Sequence, residues 1–250
     1  MAISLKPVSE QVIVITGASS GIGLATAEAA AEQGARLVLV AHSGDTLEDV
    51  ANRLSTNGAE AMAVDADVGN RADVEQVALA AIERFGRIDT WVNNAAVAIF
   101  GRLDEVSEPA NRRLFETNFW GVVNGSLVAL RHMRASGGAI INLGSELSDA
   151  VMPLQGMYAA SKQAVKGFTD ALRVEVEEFD KAPVSVTLLQ PAPPVDPGEM
   201  AETILKATVS RPRNIRIGVT ARMNTPIEKP GPAMGEKIAA RGGGRNPGRE

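Results

Sequence analysis

The sequence predicts an α/β protein: a doubly wound, mostly parallel sheet of about seven strands with helices on both faces. Two observations carry this. Short runs rich in Val, Ile and Leu alternate with longer stretches of helical apolar spacing, about six times over. Each short run is also apolar on both of its faces, as a parallel strand covered from two sides requires.

In chain order the strands are expected at Val12–Thr16, Arg36–Ala41, Ala61–Val64, Ile88–Asn93, Ala139–Gly144, Val184–Leu189 and Ile215–Val219. Helices are expected at Gly21–Gln33, Asp45–Thr56, Ala72–Phe85, Glu108–Arg134 (as two helices), Met157–Phe179 and Pro197–Thr208. No repeat and no linker interrupts the pattern before residue 220, so residues 1–220 read as one domain. Beyond it the composition shifts. Residues 221–250 hold six Gly, four Pro and no aromatic residue, and are expected to form a disordered tail.

Composition narrows the chemistry. A chain of 250 residues buries enough surface to need no staple. It has no cysteine, which excludes a disulfide framework, a Cys-ligated zinc and a thiol nucleophile. The two histidines, His42 and His132, lie far apart in sequence, against a metal site and against a Ser-His-Asp triad. The net charge of −5 argues against a nucleic-acid partner. No apolar run is long enough to span a membrane, and residues 1–11 lack a signal-peptide core, so a cytoplasmic protein is expected.

Four features carry chemistry. The first is Thr16-Gly17-Ala-Ser19-Ser20-Gly21-Ile22-Gly23, where the first strand meets the first helix. Glycines there let the backbone approach a pyrophosphate at an amide-rich helix N-terminus, although an ordinary turn uses glycine too. The second is Tyr158-x3-Lys162, built on the only tyrosine in the chain. On a helix the two side chains share one face, where an ammonium favours the phenolate; an exposed helix face would show the same spacing. The third is Ser145, just past a strand's carboxyl end, where ligands bind in this architecture. The fourth is Asn118, an unfavourable residue for a helix interior.

Taken in order, these residues resemble the short-chain dehydrogenase/reductase family. The resemblance runs from about residue 10 to residue 191. It adds Asp67-Val68 after the third strand and Asn93-Asn94-Ala95-Ala96 after the fourth. It implies an NAD(P)-binding Rossmann sheet and hydride transfer between nicotinamide and a carbonyl or alcohol carbon. Tyr158 would be the general acid or base. Lys162 would lower its pKa and hold the nicotinamide ribose. Ser145 would bind the substrate oxygen, and Asn118 would hold a water linking Lys162 to solvent. Gly17, Ser19, Ser20, Gly21, Ile22 and Gly23 would line the pyrophosphate. Asp67 and Val68 would meet the adenine, with Asn94, Ala95, Ala96 and Pro191 along the rest of the cofactor. At the end of the second strand Ala41-His42 stands where an acid would select NAD, which points to NADP ahead of NAD, with His42 beside the ribose or merely on the surface. A homodimer or homotetramer is implied, paired through Glu108–Arg134 and Met157–Phe179.

The chain departs from the family after the sixth strand. It reads Pro191-Ala192-Pro-Pro-Val-Asp-Pro197-Gly198, where the family continues into a long substrate loop. An open active site is expected. The alternative is a cofactor-binding protein with little turnover, in a regulatory or interaction role. A sugar-nucleotide epimerase of the related extended family is disfavoured by the small C-terminal region.

Overall fold

The computed structural model describes residues 5–42, 44–192 and 195–217. Seven strands form one sheet: β1 (Val12–Thr16), β2 (Arg36–Ala41), β3 (Glu60–Asp65), β4 (Thr90–Asn93), β5 (Gly138–Leu143), β6 (Val184–Pro191) and β7 (Asn214–Ile217). Their order is β3-β2-β1-β4-β5-β6-β7, and every pairing is parallel. The helices are α1 (Gly21–Glu32), α2 (Gly44–Thr56), α3 (Arg71–Phe85), α4 (Glu108–Phe115), α5 (Gly121–Met133), α6 (Gly156–Val174) and α7 (Pro197–Val209).

The two-sided apolar strands do what the sequence suggests. Ile13, Ile15, Leu37, Leu39 and Ile141 point into one layer, with Ala27, Ala30, Leu47, Met200 and Ile204 of α1, α2 and α7. Val12, Val14, Val38, Val40 and Ile140 point into the other, with Val77, Ala81, Val128 and Leu172 of α3, α5 and α6. This is the period-2 alternation of strand side chains, with both faces covered. Strand order reverses between β1 and β4, and the crevice at their carboxyl ends is where such sheets bind ligands.

Most element boundaries shift by one or two residues from the sequence expectation. β4 begins at Thr90, not Ile88, because the Asp89 carboxylate takes the Val12 N–H at 2.8 Å in place of a strand carbonyl. Residues 108–134 form two helices as expected, with α4 running into α5 through a π-helical turn, Glu116–Trp120. α6 likewise ends in a π-helical turn, Glu175–Asp180. Gly144 lies past β5. Residues 218–219 of the last expected strand and the Gly/Pro-rich segment 221–250 lie outside the described residues.

After β6 the chain is short, as its sequence implies. Ala192 N–H donates to the Ile217 carbonyl at 2.7 Å, tying the strand end to β7. Asp196 then caps α7 by accepting from Glu199 N–H at 2.8 Å. Pro at the first helical position is pre-set for a helix start. Among the described residues no helix is long and apolar enough to cross a membrane.

Candidate active site

The glycine turn sits at the switch point between β1 and β4. Gly17 and Gly21 have φ of +68° and +56°, which glycine adopts without strain. A Cβ on Gly23 would lie 2.1 Å from the Gly17 carbonyl oxygen and 2.6 Å from Asn94 Nδ2, so no side chain fits. Asn94 locks the turn from β4: its Nδ2 donates to the Thr16 carbonyl at 2.9 Å and to the Gly17 carbonyl at 3.1 Å. Thr16 Oγ1 accepts from Asn94 N–H at 2.9 Å and Ala95 N–H at 3.1 Å. Ser19, Ser20 and Ile22 continue the turn with partial or full exposure, and Ser20 stands as the N-cap of α1. The result is a shallow cradle of amides at a helix N-terminus, suited to a diphosphate.

Two further groups named in the sequence stand past the ends of β2 and β3. His42 is exposed just past β2. Asp67 follows β3 with Val68 buried beside it. Burial alone would raise the Asp67 pKa. Hydrogen bonds from Arg113 and the Gly69 amide, with the charges of Arg113 and His42, outweigh this and hold it below its ordinary value. The Arg113–Asp67 pair spans 2.6 Å and brings α4 against the loop after β3.

Ser145, Tyr158 and Lys162 come together at the carboxyl end of β5. Ser145 caps the short turn Glu146–Ser148: its Oγ accepts from Leu147 N–H at 3.2 Å, and Ser148 Oγ accepts from Ser145 N–H at 3.1 Å. Ser145 also hydrogen-bonds the Tyr158 phenol. Lys162, one turn along α6, is buried and donates from Nζ to the Leu143 carbonyl at 2.9 Å. Its Nζ lies 5.8 Å from the centre of the Tyr158 ring.

The electrostatics differ from the sequence expectation in one respect. Burial raises the Tyr158 pKa above 10.0, and the Ser145 hydrogen bond only partly opposes this. Burial also lowers Lys162 from 10.5 to about 8. Desolvation acts on both groups and disfavours both charges, so it outweighs the attraction that was expected to lower the phenol.

Asn118 lies in the π-helical turn, fully buried. Such turns are frequent at functional sites. Its Oδ1 accepts from Val97 N–H at 2.8 Å, and its Nδ2 donates to the Val97 carbonyl at 2.9 Å and to Ser161 Oγ at 3.2 Å. Ser161 Oγ donates in turn to the Tyr158 carbonyl at 2.7 Å. Asn118 makes no direct bond to Lys162 among these. It braces the loop after β4 and the helix turn that carries Tyr158. Ala95 and Ala96 lie in that loop, and Pro191 ends β6 opposite it.

The sequence reading did not single out Thr16, Ser148, Ser161, Gln190 or Asp149. Thr16 stood inside the quoted glycine motif. Gln190 donates from Nε2 to the Ser145 carbonyl at 3.3 Å and to Asp149 Oδ2 at 2.8 Å, a link that no local spacing announces.

Residues 11–207 match the family model described as short chain dehydrogenase. A Bacillus subtilis protein named "Uncharacterized oxidoreductase YxnA" is 48% identical over 191 residues, covering 76% of this chain and 53% of that protein. The chain thus spans about half the length of that relative. A Burkholderia phymatum short chain dehydrogenase/reductase solved in complex with NAD superposes with a TM-score of 0.81 at 27% identity, covering 96% and 97% of the two chains. A metagenomic short-chain oxidoreductase solved with NADP gives 0.77 at 27% identity, covering 84% and 97%.

Proposed function

The chain belongs to the short chain dehydrogenase family, and on that premise we propose that it is an NAD(P)-dependent oxidoreductase acting on a carbonyl or secondary alcohol. One observation carries the reading: Ser145, Tyr158 and Lys162 meet at the end of β5, across the crevice from a glycine turn at the N-terminus of α1 that is packed too closely at Gly23 for any side chain.

The residues fit the cofactor. Gly17, Gly21 and Gly23 leave room for the pyrophosphate, and Ser19, Ser20 and Ile22 present the first turn of α1 to it. Asp67 and Val68 would hold the adenine end, and Asn94, Ala95, Ala96 and Pro191 would line the stretch toward the nicotinamide. The bound dinucleotide supplies or takes the hydride. β2 itself ends in Ala41 and exposed His42, with no acid in its own sequence before Asp45, while Asp65 of β3 stands in register with Ala41. The lack of an acid at the end of β2 supports NADP over NAD.

The protein's own part is to place the substrate oxygen and move one proton. Ser145 Oγ holds that oxygen. Tyr158, kept protonated at neutral pH by burial, gives its proton to the oxygen in reduction. In oxidation it must first lose that proton, and the adjacent Lys162 ammonium is the charge that favours the loss. The buried phenol is therefore in the protonated form that reduction needs near neutral pH. Asn118 and Ser161 fix the helix turn from which the phenol projects.

The alternative of a cofactor binder without turnover rests on the short passage from Pro191 to Pro197. Both readings are separated by one experiment. NADPH and NADH oxidation is followed with a panel of ketones, quinones and aldehydes, for the wild type and Tyr158→Phe. Turnover is expected with NADPH ahead of NADH. In Tyr158→Phe it is expected to fall by about three orders of magnitude or more, with cofactor affinity within a few-fold. Undiminished turnover in Tyr158→Phe would sink the acid–base assignment. Cofactor binding with no wild-type turnover would favour the second reading.

A further inference from the structure

Twelve large apolar side chains are exposed among the described residues, and six of them stand in two loops: Val97, Phe100 and Leu103, and Val151, Met152 and Leu154. Phe100 is 70% exposed and Leu103 66%. The first loop leaves the end of β4, beside the cofactor cradle. The second leads directly into α6, with Leu154 four residues before Tyr158. Residues 95–101 read Ala-Ala-Val-Ala-Ile-Phe-Gly and residues 150–158 read Ala-Val-Met-Pro-Leu-Gln-Gly-Met-Tyr. Neither stretch contains a charge.

The two loops are built as one rim. Gly101 N–H donates to the Leu154 carbonyl at 2.9 Å. Leu103 packs over Gly156, where a Cβ would lie 2.6 Å from Leu103 Cδ2. Asn118 holds the near end of the first loop through both polar groups of Val97. Leu154 adopts φ of +67°, uncommon for a residue with a bulky side chain. Strain of that kind persists where surroundings impose it, commonly at ligand sites. Contiguous exposed apolar surface of this sort marks a binding surface.

Resting on the oxidoreductase reading above, we infer that the substrate is a carbonyl compound or alcohol with a sizeable uncharged hydrocarbon part, which lies across this two-loop rim while its oxygen meets Ser145 and Tyr158. The rim is continuous with the catalytic tyrosine through the second loop, and its charges, Arg102, Asp104 and Glu105, stand around Leu103 at the far end of the first loop, where Arg102 pairs with both carboxylates. The passage from Pro191 to Pro197 leaves little chain to enclose the ligand from the β6 side. Selection then follows the apolar area laid down on the rim, not the fit of a closed pocket, and it grades with chain length.

The test is a homologous series of methyl ketones, from 2-butanone to 2-decanone, with NADPH and NADH. kcat/KM is expected to rise roughly two- to fourfold per added methylene, the gain from removing that much apolar surface from water, and mainly through KM. Phe100→Ser and Met152→Ser should each flatten that slope, with Tm as the check on folding. Wild-type turnover that is flat or falling with length overturns the inference while leaving the oxidoreductase reading intact. A slope that survives both substitutions, or one that collapses as protein concentration rises because a second copy covers the rim, overturns it as well. Calorimetric titration of the same ketones into the protein is an arm independent of turnover. Affinity that grows with chain length there supports the rim even if the catalytic reading fails, and affinity independent of length overturns it.

Discussion

At the scale of single residues, burial sets the behaviour of Tyr158 and Lys162, the proposed catalytic pair. Lys162 is buried and its pKa falls from 10.5 to about 8. The folded chain therefore holds that proton less tightly than the unfolded chain. Unfolding takes up a proton between about pH 8 and 10.5, so stability climbs with pH across that window. A shift of this size corresponds to about 3 kcal/mol. In Lys162→Met that climb should vanish, and the variant should be no less stable than the wild type at pH 7 although catalytically dead. Denaturant unfolding from pH 7 to 10 checks it: an equal pH slope in both proteins would mean that Lys162 is not the group responsible. Tyr158 and Lys162 were legible in the sequence because their chemistry needs only a fixed helical spacing. The direction of their pKa shifts was not, because desolvation depends on what packs around the pair, namely β5 and the loop that carries Ser145.

At the scale of elements, the central strands were legible because both faces of each are apolar, as Val12–Thr16 and Arg36–Ala41 show, whereas the edge strand Asn214–Ile217 alternates exposed polar with half-buried apolar residues. The places where legibility failed have local causes. Asp89 takes a strand N–H with its side chain, so an apolar run that includes Ile88 is not all strand. The π-helical turn at Glu116–Trp120 adds a residue to the winding without disturbing the apolar spacing, so the two helices were legible and the turn between them was not. The clasp behind Ser145 was invisible because it joins distant elements. Asp149 accepts from Gln190 Nε2 at 2.8 Å, from Arg216 on β7 at 2.8 Å, and from Lys166 on α6. Burial pushes the Asp149 carboxyl up, but the hydrogen bonds of Lys166 and Gln190 and the charges of Lys166 and Arg216 outweigh it and hold its pKa below 3.8. The clasp is thus present above that value and is lost as pH falls through the lower folded pKa. Because Gln190 also bonds the Ser145 carbonyl, Asp149 is a positioning residue. Asp149→Ala should lower kcat about tenfold or more with cofactor affinity unchanged. Asp149→Asn keeps an acceptor for Gln190 and should recover part of the loss. A fall in stability with kcat intact would reduce Asp149 to a structural brace.

At the scale of the whole molecule, α6 presents the exposed surface on which a second copy is expected to pair, whereas α5 is almost wholly buried within the subunit. The sequence points to the face bearing Val165, Phe168, Ala171, Leu172 and Val176, but Val165, Leu172 and Val176 are buried inside the subunit. The outward stripe of α6 is another one: Ala160, Gln163, Gly167, Ala171 and Val174, all exposed. Beside it, α4 and α6 flank a groove of about 570 Å³ whose lining is mixed: Leu103, Val106, Phe115, Trp120 and Met157 with Glu108, Asn111, Arg112 and Glu116. Small residues let helices from two subunits approach closely, and Trp120 on the groove's wall is 47% exposed. Gly167 discriminates between a surface and an interface. A Cβ there would meet nothing within 4 Å in the subunit, so its own fold tolerates a larger side chain. Replacing a helical glycine should also stabilise the subunit by up to about 1 kcal/mol. Gly167→Glu would set two carboxylates against each other across a two-fold axis, where the same patch faces itself. Sedimentation of the wild type at micromolar concentration should show a dimer or tetramer, and Gly167→Glu should shift it toward smaller species without lowering the Tm of the subunit. A monomeric wild type, or a Gly167→Glu protein that sediments as the wild type does, would show that α6 does not pair.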